Sequence, residues 1–181
     1  GSVVAVQSLD RTAEQVLGSL RGPLERSLST ALGHPFTLGS YQGLRPWGVA
    51  LGETTIAPIS SDRSTIKVQG LSVHLAPLAS LRQWQPVLRL KLQGLDVALD
   101  RQTDGRYWRF GQVPQGGDAP PDLDLRFELA QPARIRLTPS GVEIQLTSRG
   151  SVQIAQQRFS AISRLSRLGR AGSLDLEAKG R

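Results

Sequence analysis

The chain has no cysteine, two histidines, and only three Trp, two Tyr and four Phe among its 181 residues. Without cysteine there is no disulfide framework, no thiolate metal site and no cysteine nucleophile. That absence fixes no compartment, but it suits an oxidising envelope space where a stray thiol is a liability. His34 and His74 stand in separate neighbourhoods, too few for a zinc ligand set. No G-x-S-x-G elbow, G-x-G-x-x-G fingerprint or phosphate loop occurs. Asp96, Asp100 and Asp104 are evenly spaced, but a strand period scatters them and no calcium loop accompanies them. The expectation is a protein that is not an enzyme and carries no cofactor or metal. Long apolar runs are missing too: nothing approaches the ~20 residues that span a bilayer. No signal peptide is visible, and Gly1-Ser2 resembles the remnant of a cleaved tag, so the chain reads as an excised fragment.

What the chain does have is basic charge. Its net charge is +7, from 22 Lys and Arg (nearly all Arg) against 15 acidic residues. Such a balance suits nucleic acid or anionic lipid headgroups. A plainer reading places the arginines on the wet face of strands, because they alternate with apolar residues, as in "ARIRL" (133–137). Nucleic-acid binding is the weaker of the two partners. Trp47, Trp84, Tyr107, Trp108 and Phe110 fall at turns and segment ends, not along one strand face as stacking platforms do. Tyr107, Trp108 and Phe110 are expected to pin the Asp104-Gly105 turn.

The first segment has helical spacing. Leu9, Ala13, Val16, Leu17, Leu20, Leu24, Leu28 and Leu32 form one stripe, with Ser8 or Asp10 as its cap and Gly33 and Pro35 as its stop. Residues 3–34 are therefore an amphipathic helix, kinked or split at Pro23, whose stripe lies on the rim or face of a sheet. Residues 35–181 form that sheet. Turn signals fall at Asp104-Gly105, Gln131-Pro132 and Pro139-Ser140-Gly141. The Pro/Gly-rich stretch 112–122 is expected to be a mobile loop. Between 158 and 169, Phe159, Ile162, Leu165 and Leu168 recur every third residue beside arginines, and a short basic helix and a strand both remain open.

Two near-copies, "KVQGLSVHL" (67–75) and "KLQGLDVAL" (91–99), raise the central question. Each alternates apolar and polar residues, then changes phase by one at a Gln-Gly. In a flat strand that would send every later side chain to the opposite face. A bulge at Gly70 and Gly94 would absorb the shift and bend the strands. Two architectures accommodate this: a curved trough with its apolar face inside, or two short strands joined at glycine in an ordinary sandwich. In the trough, the candidate lining is Val68, Leu71, Val73, Leu75, Leu90, Leu92, Leu95, Val97, Leu99, Leu125, Phe127, Ile135, Leu137, Val142, Ile144, Leu146, Val152 and Ile154. Eight to nine strands at ~4.8 Å would make it roughly 40 Å long.

Residues 32–81, "LGHPFTLGSYQGLRPWGVALGETTIAPISSDRSTIKVQGLSVHLAPLASL", resemble the amino-terminal signature of the TamB family of AsmA-like proteins. Leu32-Gly33-His34-Pro35-Phe36 and Leu38-Gly39 match a helix-to-strand segment, with His34 in place of the usual arginine. Gly48 and Leu51-Gly52 match a glycine-rich passage, and "GLDVALDRQTDGRYW" (94–108) is similar to a following strand and hairpin. The likeness covers about residues 20–110. It implies a mainly β fold with an amino-terminal helix and a curved, mostly antiparallel sheet. The sheet would form a trough or groove, cut off at its carboxyl end. It implies a periplasmic bridge anchored in the inner membrane that moves phospholipid to the outer membrane, with an Omp85-family partner. A cyanobacterial or plastid-related branch suits the arginine-rich style. The rival within the resemblance is a scaffold that docks an outer-membrane assembly or translocation factor by sheet augmentation.

Overall fold

A computed structural model describes residues 2–108, 111, 124–153 and 158–180. The expected loop at 112–122, Phe110 and Ile154 lie outside the described residues. A 31-residue helix, α1 (Ser2–Leu32), opens the chain. The strands β1 (Phe36–Thr37), β2 (Tyr41–Arg45), β3 (Gly48–Leu51), β4 (Thr54–Ile56) and β5 (Thr65–Leu75) follow. A short helix, α2 (Pro77–Gln83), leads into β6 (Val87–Asp100). Then come β7 (Asp124–Leu129), β8 (Ala133–Thr138), β9 (Val142–Gln153), β10 (Arg158–Arg167) and β11 (Ser173–Gly180). Strands hold about half of the described residues, so the protein is mainly β.

All eleven strands belong to one mixed sheet. Neighbours run antiparallel except that β7 and β8 both run parallel to β6. Among the described residues there is no second sheet, so the sandwich alternative is not met. β1 with β2, β3 with β4, and β7 with β8 each occupy one lane as a strand in two pieces. Eight lanes result, spanning about 34 Å at the usual strand spacing.

The breaks in those lanes fall in line. Register places Gly52-Glu53 opposite Gln69-Gly70, and those opposite Gln93-Gly94. On the far side of β6 the same level holds Ala130–Pro132, and on the near side Leu38–Ser40. A seam therefore crosses the sheet from one lane to the next. At this seam β5 and β6 change phase together: their pairing runs from Thr65↔Ala98 to Leu75↔Leu88 without a register shift. The expected bulge between them is thus replaced by a joint turn of both strands. Gly94 takes it at φ 62, a backbone state that L side chains resist. β9 crosses the seam unbroken.

Several expectations need correction. Gln131-Pro132 is a bend within a lane and not a reversal, because β7 and β8 travel the same way beside β6. Asp104-Gly105 does turn, with Gly105 N donating to Gln102 O at 2.9 Å, but among the described residues no hairpin partner returns beside β6. Trp108 serves the helix instead of that turn: its Nε1 donates to Leu32 O at 3.1 Å, and its ring stacks 4.1 Å from His34. Residues 158–167 are strand β10, which settles the alternative left open there. Helix α2 went unread in the sequence, although Pro77 at its first turn is a start signal.

α1 starts well before Ser8 and Asp10, so neither caps it; Ser8 Oγ instead donates to Ala5 O. Pro23 lies inside the helix without dividing it. It stands on the exposed side, where the Ser19 carbonyl it leaves unpaired can reach water. The face turned to the sheet takes only Ala13, Leu17 and Leu32 of the stripe, each half-buried, and is otherwise polar. Asp10, Arg21, Glu25 and Ser29 face it: Arg21 donates to the Leu38 and Gly39 carbonyls. Glu25 and Ser29 accept from the backbone of Leu38 and Phe36 at 2.9 and 2.8 Å. Tyr41 Oη donates to Asp10. Burial, the Asp10 hydrogen bond and the Asp10 and Glu14 charges push the Tyr41 phenol up to about 12. Leu9, Val16, Leu20, Leu24 and Leu28 stay exposed, Leu20 by 49%.

Below the helix a polar knot holds three segments together. His34, 1% exposed, donates Nδ1–H to Ala57 O at 3.1 Å and sets Nε2 3.1 Å from Asp62 Oδ2. Asp62 also accepts from Ser64 N at 2.9 Å and Gln102 Nε2 at 2.8 Å. Ser64 Oγ donates to Tyr107 O and accepts from Asp100 N, each at 3.0 Å. Desolvation works to raise the Asp62 pKa, but the hydrogen bonds from Ser64 and His34 and the His34 charge outweigh it and lower the carboxyl below its ordinary 3.8.

Candidate functional site: the leucine face

Residues paired directly across neighbouring strands share a face of the sheet. On that rule the apolar residues form long rungs. Above the seam Val73, Leu90, Phe127 and Gly150 make one rung, and Leu71 with Leu92 begins another. A third holds Leu75, Leu88, Leu125, Val152 and Phe159. Below it Val68 faces Leu95, and Ala133, Leu146, Leu165 and Leu174 continue the level. Ile66, Val97, Ile135 and Ile144 form the next, and Leu99, Leu137 and Val142 the last.

β9 decides that the two halves belong to one face. Val142, Ile144, Leu146, Gly150 and Val152 are an even number of residues apart on a strand that crosses the seam without a break. The phase change at Gly70 and Gly94 thus keeps the leucines together on either side of the seam. Every candidate lining residue inside the described set lies on this face; Ile154 lies outside that set.

Two aromatic rings are laid over glycines here. A Cβ at Gly150 would sit 2.7 Å from Phe127 Cζ, and one at Gly180 2.7 Å from Phe159 Cζ. Each glycine gives its ring room to lie flat across the neighbouring strand.

Among the described residues no layer covers the face. The substantial contacts in the protein join neighbouring strands, α1 with β1 and β2, and α2 with β6. Few of its side chains are buried: Val68 and Ala133 are, while Leu75, Phe159, Leu174 and Leu176 are exposed and most others half-buried. The chain keeps 12307 Å² of accessible surface, where a compact monomer of its mass keeps about 8,600 Å².

The opposite face is charged. Lys67 pairs with Glu53 at 3.4 Å, Arg136 with Asp96 at 3.3 Å, and Arg164 with Asp175 at 2.7 Å. This matches the wet arginine face expected from "ARIRL". His74 sits on that side, its Nδ1 3.3 Å from Pro46 O. Among the described residues no cluster of three metal-ligating side chains occurs, and no helix is long and apolar enough to cross a membrane. No protein-family model matches the chain, and a comparison with curated proteins returns no match.

Proposed function

We propose that the leucine face is a trough that receives phospholipid acyl chains, one section of a non-enzymatic bridge of the TamB kind. In this reading the protein stands in the periplasm, anchored in the inner membrane by a segment before α1, and passes lipid toward the outer membrane. The observation that carries it is the aligned apolar rungs, over which the described residues place no layer. Soluble proteins seldom keep a large apolar surface without an occupant. At ~25 cal/mol per Å² an acyl chain covering several rungs would stabilise the protein measurably. Bending at the seam would curve the sheet around that chain. The exposed stripe of α1 would lie against the inner membrane surface.

The test is native mass spectrometry of the purified protein followed by lipid extraction. Phospholipid in discrete stoichiometry, lost in Val97→Asp and Leu92→Asp, is the expected result. A lipid-free protein that also refuses fluorescent phospholipid would overturn the reading.

A specific feature favours a second reading, a docking scaffold. Among the described residues β11 pairs with β10 alone, and its residues 173–179 are exposed. Such an edge offers backbone groups to a partner strand. Proline substitution in β11 would then abolish partner docking and leave lipid loading intact.

A further inference from the structure

A cleft of about 860 Å³ opens on the arginine face, at the end of the sheet where α2 sits. Two rungs form its floor: His74, Arg89 and Arg126 on one, Lys91, Glu128 and Arg149 on the other. Arg89 and Arg126 are directly opposite each other on adjacent strands, an arrangement that like charges disfavour. Arg126 is held by buried Asp124 at 3.3 Å. Arg89, Lys91 and Arg149 have no carboxylate within ion-pair distance among the described residues, Glu128 included. Four cations against Glu128 and Asp124 leave an excess of two positive charges in the cleft. An anion placed there would relieve the repulsion that the bare rungs sustain.

The rim of the same cleft is apolar and points outward. Leu78, which lines it, is 83% exposed, and Leu81 and Trp84 on the same short helix and its end are 68% and 93% exposed. Trp47, 69% exposed, occupies the neighbouring turn, where its carbonyl accepts from Leu75 N at 2.8 Å. Both tryptophans stand at positive φ, 64 and 54, in turns where glycine or asparagine would rest more easily. Exposed Trp and Leu beside unpaired arginines is the chemistry of an anionic bilayer interface. Indole rings settle at headgroup depth, leucines go deeper, and guanidinium groups meet phosphate. Among the described residues the cleft floor offers no ring to stack on nucleobases, since Phe127, which lines it, turns its ring to Gly150 on the leucine face, and this disfavours a nucleic-acid strand.

We infer that the α2 end docks on an anionic phospholipid bilayer, with Leu81 and Trp84 entering the interface and a headgroup phosphate seated between Arg89 and Arg149. This surface lies on the face opposite the leucine rungs and does not rest on the acyl-chain reading of that face.

The test is co-sedimentation with vesicles of phosphatidylcholine alone or mixed with phosphatidylglycerol. The intact protein binds the mixed vesicles, with a blue shift of tryptophan emission, and leaves the neutral ones in proportion to the charge lost. Arg89→Gln with Arg149→Gln weakens binding roughly twentyfold, at about fivefold per charge near the surface. Trp84→Ser weakens it about tenfold and removes the blue shift. All three residues are exposed, so circular dichroism should stay unchanged, and Trp84→Ser should keep any co-purified lipid. Equal binding of Trp84→Ser and wild type, with displacement by inorganic phosphate, would make the cleft a site for a soluble phosphate and overturn the docking. Binding of a single-stranded oligonucleotide that needs Arg89 and Arg149, with none to vesicles, would overturn it as well.

Discussion

Replacing Gly94 by alanine should cost far more than replacing Gly70, although the two occupy the same place in the repeated Gln-Gly. Gly94 holds φ 62, whereas Gly70 has no positive φ. Forcing an L residue into the left-handed region costs about 1–2 kcal/mol. The new Cβ would also meet the Gln69 side chain, 2.7 Å from Cγ. Gln69 is exposed and can swing aside, so this part adds about 0.5 kcal/mol. The chain stiffening from alanine, worth about 0.4–1 kcal/mol in the unfolded state, offsets part of this, so Gly94→Ala should lose about 1–1.5 kcal/mol. A Cβ at Gly70 would find Gln93 Oε1 at 3.2 Å, a tight approach to a flexible end. The same stiffening offsets it, and Gly70→Ala should stay within about 0.5 kcal/mol of the parent. Urea unfolding separates the two, since about 1–1.5 kcal/mol moves the midpoint by about 0.5–0.8 M at a slope near 2 kcal/mol/M. Adding Gln69→Ala to Gly94→Ala should recover only the steric share. Equal costs at the two glycines, or full recovery in that double variant, would refute the assignment of the bend to Gly94.

The knot below α1 predicts an acid limb. The Asp62 carboxyl is lowered in the folded protein, so its stabilisation is complete above the ordinary 3.8 and is lost as pH falls through the lower folded value. Asp62→Asn should lose about 3 kcal/mol at neutral pH and show a shallower acid limb in thermal melts across pH 2–7, as removal of one buried partner does. On α1, Leu20→Gln and Leu24→Gln should each change stability by less than about 0.5 kcal/mol, as exposed positions do. Arg21→Ala should cost about 1–2 kcal/mol through its two carbonyl contacts, and chemical unfolding distinguishes these. Gly150→Val should cost about 2 kcal/mol, because its Cβ meets the Ser160 carbonyl as well as the Phe127 ring, and Phe127→Leu should restore only the share due to the ring.

Much of this fold can be read from alternation. The candidate lining residues were found by period alone, and the register of β5 through β9 gathers them. The seam is harder to read, because only two of its crossings carry the Gln-Gly signature. At Gly52-Glu53 and Ala130–Pro132 the lane breaks, and nothing in those residues says that they stand level with Gly94. The parallel course of β7 depends on a connection through residues outside the described set, and no local pattern encodes it. Spacing in threes at Phe159, Ile162, Leu165 and Leu168 imitates a helix. The strand wins because Leu165 pairs with Leu146 and Leu174, contacts that lie far off in sequence. The docking of α1 was misread for a related reason. Its partners are backbone groups of Leu38, Gly39 and Phe36, and backbone groups carry no sequence signal. His34 stands out in the sequence only as a departure from a motif, while its partners Ala57, Asp62 and Trp108 come from two distant segments.

The most direct test of the account asks which face of the sheet meets lipid. A photoreactive phenylalanine analogue placed at Leu92 or Ile144, on the leucine face, is compared with one at Arg134 or Gln145, on the charged face away from the α2 cleft. After irradiation in a membrane-containing extract, mass spectrometry should find acyl-chain adducts at Leu92 and Ile144 and none at Arg134 and Gln145. Adducts spread evenly over both faces, or absent from the leucine face, would contradict the claim that these rungs hold lipid.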